Sequence, residues 1–300
     1  MRGYLDPLYI DSLSEWGKPR KLKKCGGWIL ERQIPGSNEI DGMGPYPIFM
    51  CEDYSSMDDD LQDLEDDLVT ISLVTDPFAD LSLSPLEKLF DLVIPFKEHY
   101  ITDLDVPVVE AVTQHHRYYS RRGFKDVQVD VIENPIDFLD EWVNLYQTIS
   151  DRHHIEGLRA FSMKAFEKQL RIPGMVMFRA VYQDKPIGEA LCLIHDNVAY
   201  GHLMGISELG HKLGVTYPIY WTHLEYLKGK TRWVNWGGVS GIINDASNGL
   251  AKFKKGWSTE KRIAYFCGKI LNKRKYQSLN VLSGEVENKY FPPYRIGEMG

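Results

Sequence analysis

Apolar and polar positions alternate most regularly in the middle of the chain, where Val127-Gln128-Val129-Asp130-Val131 predicts a half-buried strand. Pro135 then opens a long helical segment in which Phe138, Leu139, Trp142, Leu145, Tyr146 and Ile149 recur at intervals of three and four. Ser162 stands where an N-cap is expected for a second helix, running through Phe166 and Leu170 to a stop at Pro173-Gly174. Strands follow at Met175 to Tyr182, Ile187 to Ile194 and Val198 to Gly205. Their connections, Gln183-Asp184-Lys185-Pro186 and His195-Asp196-Asn197, are short enough for antiparallel hairpins. A Gly-containing loop, a helix from about Thr216 to Leu227, a strand from Trp233 to Val239, a short basic helix within Gly249 to Trp257 and a strand from Ile263 to Leu271 complete this half.

The first half is less regular. Tyr46 to Cys51 reads as a strand, Met57 to Leu64 as an acidic helix, and Leu68 to Val74 as a strand ending at the Asp76-Pro77 turn. Leu86 to Leu92 reads as a helix, Lys97 to Leu104 as a strand, and Ala111 to Arg122, with Arg117, Arg121 and Arg122, as a connecting helix.

Composition adds limits. The chain has 300 residues, 43% hydrophobic and 26% charged, enough for two modest domains or one large one. Its net charge of −7 argues against a nucleic-acid coat, but the charge is segregated: nine Lys or Arg against one Glu from Lys252 to Lys275, and nine acids without a base from Glu52 to Asp67. Cys25, Cys51, Cys192 and Cys267 form no CxxC pair and read as reduced thiols. No long apolar run or signal-peptide core occurs, so a cytoplasmic setting without a transmembrane segment is expected, with peripheral membrane attachment left open. Adjacent His115-His116 and His153-His154 lack the spacing of a metal set, and no metal is expected. There is no P-loop or GxSxG elbow, and Ser240 in Val239-Ser240-Gly241 has no base nearby in sequence.

The order strand, helix, helix, three antiparallel strands, helix, strand, helix, strand matches the GNAT acyltransferase fold. Ser207 to Val215, then Trp236-Gly237-Gly238, then Gly249-Leu250 and Phe253-Lys254-Lys255-Gly256-Trp257 resemble the FemAB-like branch of that superfamily. This branch includes Fem-type aminoacyltransferases, which move amino acids from aminoacyl-tRNA to peptidoglycan precursors, and other N-acyltransferases. The resemblance covers roughly Phe124 to Leu279. It implies an α/β (α+β) fold with a mixed sheet and flanking helices, in two tandem GNAT-like lobes. The division expected is a divergent N-terminal lobe over 1–110, a connecting helix over 111–123, the FemAB-like domain over 124–280 and a tail over 281–300. An unrelated α/β cap is the alternative for the first half.

Acyl transfer to an amine needs a base for the amine, a polarised carbonyl, a proton for the leaving group and a grip on the donor's anionic part. The resemblance places the donor grip in Glu208 to Thr216, where Gly210, Lys212, Gly214 and Val215 would hold coenzyme A pyrophosphate; only Gly210, Lys212 and Gly214 match the usual glycine-rich form. The same glycines would also serve a plain turn before a helix. His202 shares one side of its predicted strand with Tyr200 and Met204, and is a candidate base or a structural histidine in the sheet. Glu189, in an otherwise apolar strand, needs a partner or a catalytic purpose. Asn235 is a candidate amide donor to substrate or the closure of a bulge. By resemblance Lys254 neutralises phosphate or developing charge, Phe253 walls the site, and Trp236 and Trp257 line it. Tyr217 or Tyr220 would protonate the leaving group, or simply pack.

The leading expectation is an N-acyltransferase moving an acyl group from acyl-coenzyme A to a primary amine of a small molecule, peptide or sugar. The alternatives are a Fem-like enzyme using aminoacyl-tRNA, with the basic segment against the tRNA, and a non-catalytic GNAT-like binding protein.

Overall fold

A computed structural model of the chain describes residues 2–79, 83–153, 155–157, 160–239, 248–282 and 290–296. Strands run in chain order as β1 (Lys18–Lys21), β2 (Trp28–Gln33), β3 (Ile40–Met43), β4 (Thr70–Val74), β5 (Leu92–Asp103), β6 (Gln128–Ile132), β7 (Met175–Tyr182), β8 (Lys185–His195), β9 (Val198–Ile206), β10 (Trp233–Asn235) and β11 (Glu260–Ile270). The chain divides into two compact units, one of Met1–Tyr9 with Glu98–Arg262 and one of Ile10–Lys97 with Ile263–Gly300. Both β5 and β11 pass from one unit into the other along the chain.

In the unit of Ile10–Lys97 and Ile263–Gly300, β1, β2 and β3 are antiparallel neighbours, β3 lies parallel to β4, and β4 is antiparallel to β11. Helix Met57–Gln62 supplies Met57 and Leu61 to a core with Ile29, Phe49, Ile71 and Leu73. The sequence pattern shows nothing of β1, because Lys18-Pro19-Arg20-Lys21 carries no apolar alternation. It is held instead by backbone pairing to β2 and by Arg20 on Glu31 at 2.9 Å. Tyr46 to Cys51 is not a strand: only Phe49 bridges Thr75, and Phe49 N donates to Val74 O at 2.7 Å. Pro47 has no N–H to give a ladder, so the buried Phe49 anchors the segment as a loop. Near the C-terminus, buried Arg295 donates to Asp41 at 2.7 and 2.8 Å and to Gln33 O at 2.8 Å.

The unit of Met1–Tyr9 and Glu98–Arg262 has the strand order β5-β10-β9-β8-β7-β6. Only β9 and β10 are parallel within it; the other pairs are antiparallel. The β7–β8 hairpin turns through Gln183 and Asp184, both with positive φ (49° and 60°), a tight turn that matches strand twist. Helices Leu139–His153 and Met163–Gln169 follow the predicted pattern, the second capped by the Ser162 hydroxyl, which accepts from Ala165 N at 3.1 Å. Helix Thr216–Leu227 buries Ile219, Leu224 and Leu227 against Val176, Phe178, Ala190 and Cys192 of the sheet.

Further predicted elements differ. The helix expected over Leu86 to Leu92 runs Leu83–Leu89, and Leu92 opens β5; Glu208 to Leu213 forms a helix where a loop was expected; β10 stops at Asn235 rather than Val239. Among the described residues no helix is long and apolar enough to cross a membrane.

Candidate functional site

The site is built at the exit of β10. Val234 and Trp236 anchor the strand in the core, each under 5% exposed. The strand ends because Asn235 folds its side chain over the following turn: Oδ1 accepts from Gly237 N at 2.8 Å, replacing a ladder bond. His99, buried on β5, meets the same Oδ1 through Nδ1 at 3.0 Å. Because Oδ1 only accepts, His99 Nδ1 carries the proton. Gly237 adopts φ +73°, a region costly for a residue with a Cβ, and its carbonyl accepts from Tyr100 N at 3.3 Å. Lys254 Nζ donates to Gly238 O at 2.6 Å. The predicted pair Asn235 and Lys254 is therefore brought to one turn.

Lys254 comes from helix Gly249–Lys255, whose start is capped by Asn248 Oδ1 accepting from Leu250 N at 2.8 Å. Trp257 fixes the other end. It is fully buried, and its carbonyl accepts from the Thr102 hydroxyl, which in turn receives Trp236 Nε1–H at 2.7 Å. Gly256 is a close-approach glycine: a Cβ there would lie 2.1 Å from His116 Cε1. His116 Nε2 donates to Phe253 O at 3.0 Å and Nδ1 faces the Thr113 hydroxyl at 2.7 Å. Burial holds this histidine below its usual range, partly offset by the Phe253 carbonyl. The neutral ring thus ties the basic helix to helix Gln114–Gly123.

Aromatic rings continue from this point. Trp236 stacks on Tyr220 at 4.2 Å and 17°, Tyr220 meets Phe253 at 5.0 Å, and Phe253 meets Tyr217 at 5.2 Å. Trp236, Tyr220 and Trp257 lie inside the core, whereas Tyr217 and Phe253 are half-buried. Burial and neighbouring Tyr119 hold the Tyr217 phenol above its ordinary range, and burial does the same more strongly to Tyr220. Both are protonated at neutral pH.

The expected donor segment has a different character. Ser207 Oγ accepts from Gly210 N at 3.1 Å, and the amides of His211, Gly214, Val215 and Tyr217 donate to Ser207 O, His211 O, Gly210 O and Gly214 O. A Cβ at Gly210 would stand 2.1 Å from Ile187 O, so this glycine exists to let the helix lie on β8. Gly214 is the left-handed C-cap, φ +65°, and Val215 is fully buried. Lys212 pairs with Glu208 at 2.7 Å on the surface.

The side chains of His202 and Glu189 have partners other than those of the Gly237 turn, although Gly201, next to His202, would carry a Cβ 3.5 Å from Asn235 O. The β8–β9 register skips between Leu191 and Cys192, so β9 bulges at His202. The bulge breaks the expected alternation: Met204 packs on the cluster containing Val215 and Ile219, while His202 lies among Tyr4, Tyr9 and Phe161. Tyr4 OH meets Nδ1 at 3.1 Å and Nε2 meets Gln169 Oε1 at 3.2 Å, an acceptor that fixes the proton on Nε2. Burial pushes His202 down to about 3. Glu189 faces Arg179 across the β7–β8 pair, at 3.9 Å, and Arg179 also binds Glu141. Burial, with the Glu141 carboxyl beside it, raises Glu189 well above the carboxylate range. It lies buried beside the Arg179–Glu141 ion pair and is neutral at neutral pH.

Sequence reading missed His99, Thr102, His116 and Tyr119. His99 and Thr102 carry no local signal in Glu98-His99-Tyr100-Ile101-Thr102-Asp103, since their partners lie more than 130 residues away. Ser240 and His154, and most of 281–300, lie outside the described residues. Among the described residues no group of three or more His, Cys, Asp or Glu is placed to hold a metal.

No protein-family model and no curated protein sequence matches the chain. Solved structures do. FemX superposes with a TM-score of 0.67 at 14% identity, covering 91% of this chain and 93% of its own. A C-terminal domain (DUF2156) assigned to a lysylphosphatidylglycerol synthetase of Agrobacterium fabrum gives 0.63 at 15% identity, covering 91% and 90%. L-PGS from Bacillus licheniformis gives 0.60 at 15% identity, covering 93% and 96%. At such identities the likeness is one of fold, and that fold is the GNAT-type fold of the FemAB-like proteins.

Proposed function

We propose that the protein transfers an acyl group, carried as an aminoacyl ester on the 3′ end of a transfer RNA, to a primary amine of a small molecule, peptide or sugar. The observation that carries this reading is the Lys254 ammonium, 2.6 Å from Gly238 O at the carboxyl end of β10. Ligands approach open α/β sheets at the carboxyl ends of their parallel strands. A cation held there answers the negative charge that develops on a carbonyl oxygen as an amine adds.

In the reaction the amine nitrogen bonds to the acyl carbon and the bond from that carbon to the ribose oxygen breaks. The proton lost from the amine ends on the departing oxygen. Tyr217, half-buried beside Phe253 and protonated at neutral pH, is the group we assign to deliver it. Asn235 and His99 position the Gly237 turn.

Two observations favour an ester donor over acyl-coenzyme A. The amides of Gly210, His211, Gly214, Val215 and Tyr217 are already bonded within the protein, which leaves that segment poorly suited to grip a pyrophosphate. Among the fold neighbours, the lysylphosphatidylglycerol synthetase is named for an aminoacylated product.

Purified protein incubated with aminoacyl-tRNA and a panel of primary amines, read by mass spectrometry, tests the proposal. Amide product is expected from aminoacyl-tRNA and not from acetyl-coenzyme A. Lys254→Ala is expected to lower the rate about 10²- to 10³-fold, well beyond the modest loss of stability that removing its bond to Gly238 O brings. Product from acetyl-coenzyme A alone would overturn the donor, and full activity of Lys254→Ala would overturn the role of the ammonium.

A further inference from the structure

Helix Gln114–Gly123 buries His116, Ser120 and Gly123, and turns its next face outward. His116 lies against Trp257 and Phe253, the Ser120 hydroxyl reaches Tyr217 O at 3.3 Å, and a Cβ on Gly123 would meet Pro218 at 2.9 Å. Residues one position before these on the helical wheel, His115 and Tyr119, form an exposed aromatic step with ring centroids 4.6 Å apart. Tyr119 stacks on Tyr217 at 5.1 Å and 27°, although it remains 37% exposed. The rings then lead inward through Phe253 and Tyr220 to Trp236, which adjoins the Gly237 turn.

The two chain segments that carry Tyr119 and Phe253 hold charge of one sign. From Ala111 to Lys125 and from Asn248 to Thr259 there is no acidic residue. Arg121, Arg122, Lys125, Lys252 and Lys255 are exposed and none makes an ion pair among the described residues. Some surface cations in this chain find carboxylates, as Lys24 does with Asp63 at 3.1 Å and Lys261 with Glu98 at 2.7 Å; among the described residues these five do not. Unpaired cations beside solvent-facing aromatic rings suit a polyanion whose units also carry flat apolar faces.

We infer that Tyr119, stacked on Tyr217, with Arg122 one turn further along its own helix and Lys252 next to Phe253 in the chain, is a binding step for an unpaired 3′-terminal stretch of RNA. One base would stack on the Tyr119 ring while the cations answer its phosphates. A duplex hides its base faces and cannot use the ring. The row of aromatics runs from this step to the turn that holds Lys254, so a strand docked here is aimed at the reacting position. The inference rests on the proposed aminoacyl-tRNA donor and names the surface that would receive it.

The test is fluorescence anisotropy of the full chain with a labelled six-nucleotide RNA ending in CCA, with a blunt RNA duplex as the second probe. Binding of the single strand is expected to exceed that of the duplex. Tyr119→Ala is expected to weaken it about tenfold, as for loss of one stacked base, while Tyr119→Phe retains it. The double variant Arg122→Gln with Lys252→Gln is expected to lower the slope of log affinity against log salt by about 1.4, roughly 0.7 for each phosphate released. Tyr119→Ala loses ring contacts with Tyr217 and His115, so a small fall in melting temperature with unchanged circular dichroism is expected, and Tyr119→Phe, which keeps both contacts, separates lost binding from lost fold.

Equal affinity of Tyr119→Ala and the parent for the single strand would overturn the inference, as would tighter binding of the duplex. If aminoacyl transfer occurs while Tyr119→Ala binds normally, the surface is wrong and the proposed function stands. If the single strand binds through Tyr119 but no aminoacyl group is transferred, the surface stands and the proposed function falls.

Discussion

Strands β9 and β10 lie parallel and adjacent, and each hands the chain to a segment containing functional-looking glycines. After β9, Gly210 and Gly214 serve the fold: one lets a helix sit on Ile187 O, and the other closes that helix. After β10, Gly237 adopts a left-handed conformation so that Gly238 can offer its carbonyl to Lys254. The amides of Gly210, His211, Gly214, Val215 and Tyr217 in the first segment are bonded internally; the second is a turn shaped by side chains, Asn235 and His99 on one side and a lysine on the other. A glycine in a sequence identifies a tight place. Only its neighbours in space say whether a ligand or the protein itself occupies that place.

Substitution separates these roles most strongly at Gly210. Gly210→Ala drives a methyl group to within 2.1 Å of a backbone carbonyl that belongs to β8 and has no rotamer to escape into. A loss of about 3 kcal/mol is expected in urea unfolding, the upper end for overpacking. Gly237→Ala meets Lys254 Nζ at an ordinary 3.6 Å, so its cost is the positive φ alone, about 1 to 2 kcal/mol, with a loss of transfer rate out of proportion to it. A stable Gly210→Ala protein that had lost only donor binding would reverse the contrast.

His202 sharpens the comparison on β9 itself. Its folded pKa, about 3, lies below the unfolded value near 6.5, and His223 is depressed to about 3 in the same way. Between those limits the unfolded chain binds more protons than the folded one, so stability falls as pH drops below 6.5. Each such histidine contributes a slope of about 1.4 kcal/mol per pH unit once its unfolded form is protonated. His202→Gln is expected to reduce the slope of unfolding free energy between pH 6 and 4 by about one proton, measured by denaturant melts across the range. The shape of the pH dependence of transfer is expected to stay as in the parent protein. Loss of a limb near neutrality in that profile would instead give His202 a catalytic proton.

What the sequence made legible follows from how local each signal is. The hairpins β7–β8–β9 and helix Thr216–Leu227 are visible because their apolar periodicity and turn residues lie within a few positions of one another. Lys254 was visible through its Phe-Lys neighbours, and its partner turn through Gly237-Gly238. The bulge at His202 was not visible, because an extra residue in a strand leaves the apolar pattern nearly intact while moving Met204 to the opposite face. Glu189 stood out as a carboxylate in an apolar strand, and in space it faces Arg179 on the next strand, which also pairs with Glu141 on a helix, neither of which the local sequence could reveal. β1 was hidden by its charges. His99 and His116 act through partners 136 and 137 residues away, which no window on the chain can contain.

The smallest effect is expected at Lys212, the cation that a donor loop would use. Its side chain is 69% exposed and, among the described residues, pairs with Glu208, whose side chain is 83% exposed, at 2.7 Å across one helical turn. Two flexible, hydrated side chains in water gain little from such a pair, and salt screens what they gain. Lys212→Ala is therefore expected to leave the melting temperature, the affinity for RNA ending in CCA and the rate of transfer unchanged within error, measured beside Lys254→Ala. Each lysine follows a glycine-bearing strand exit, and each was legible as a candidate from sequence. The difference lies in what surrounds the charge: Glu208 and solvent at one, the carbonyl of a left-handed turn and a wall of rings at the other. A marked fall in transfer for Lys212→Ala would place an anion at the β9 exit after all and return the donor to the segment that the amide bonding argues against.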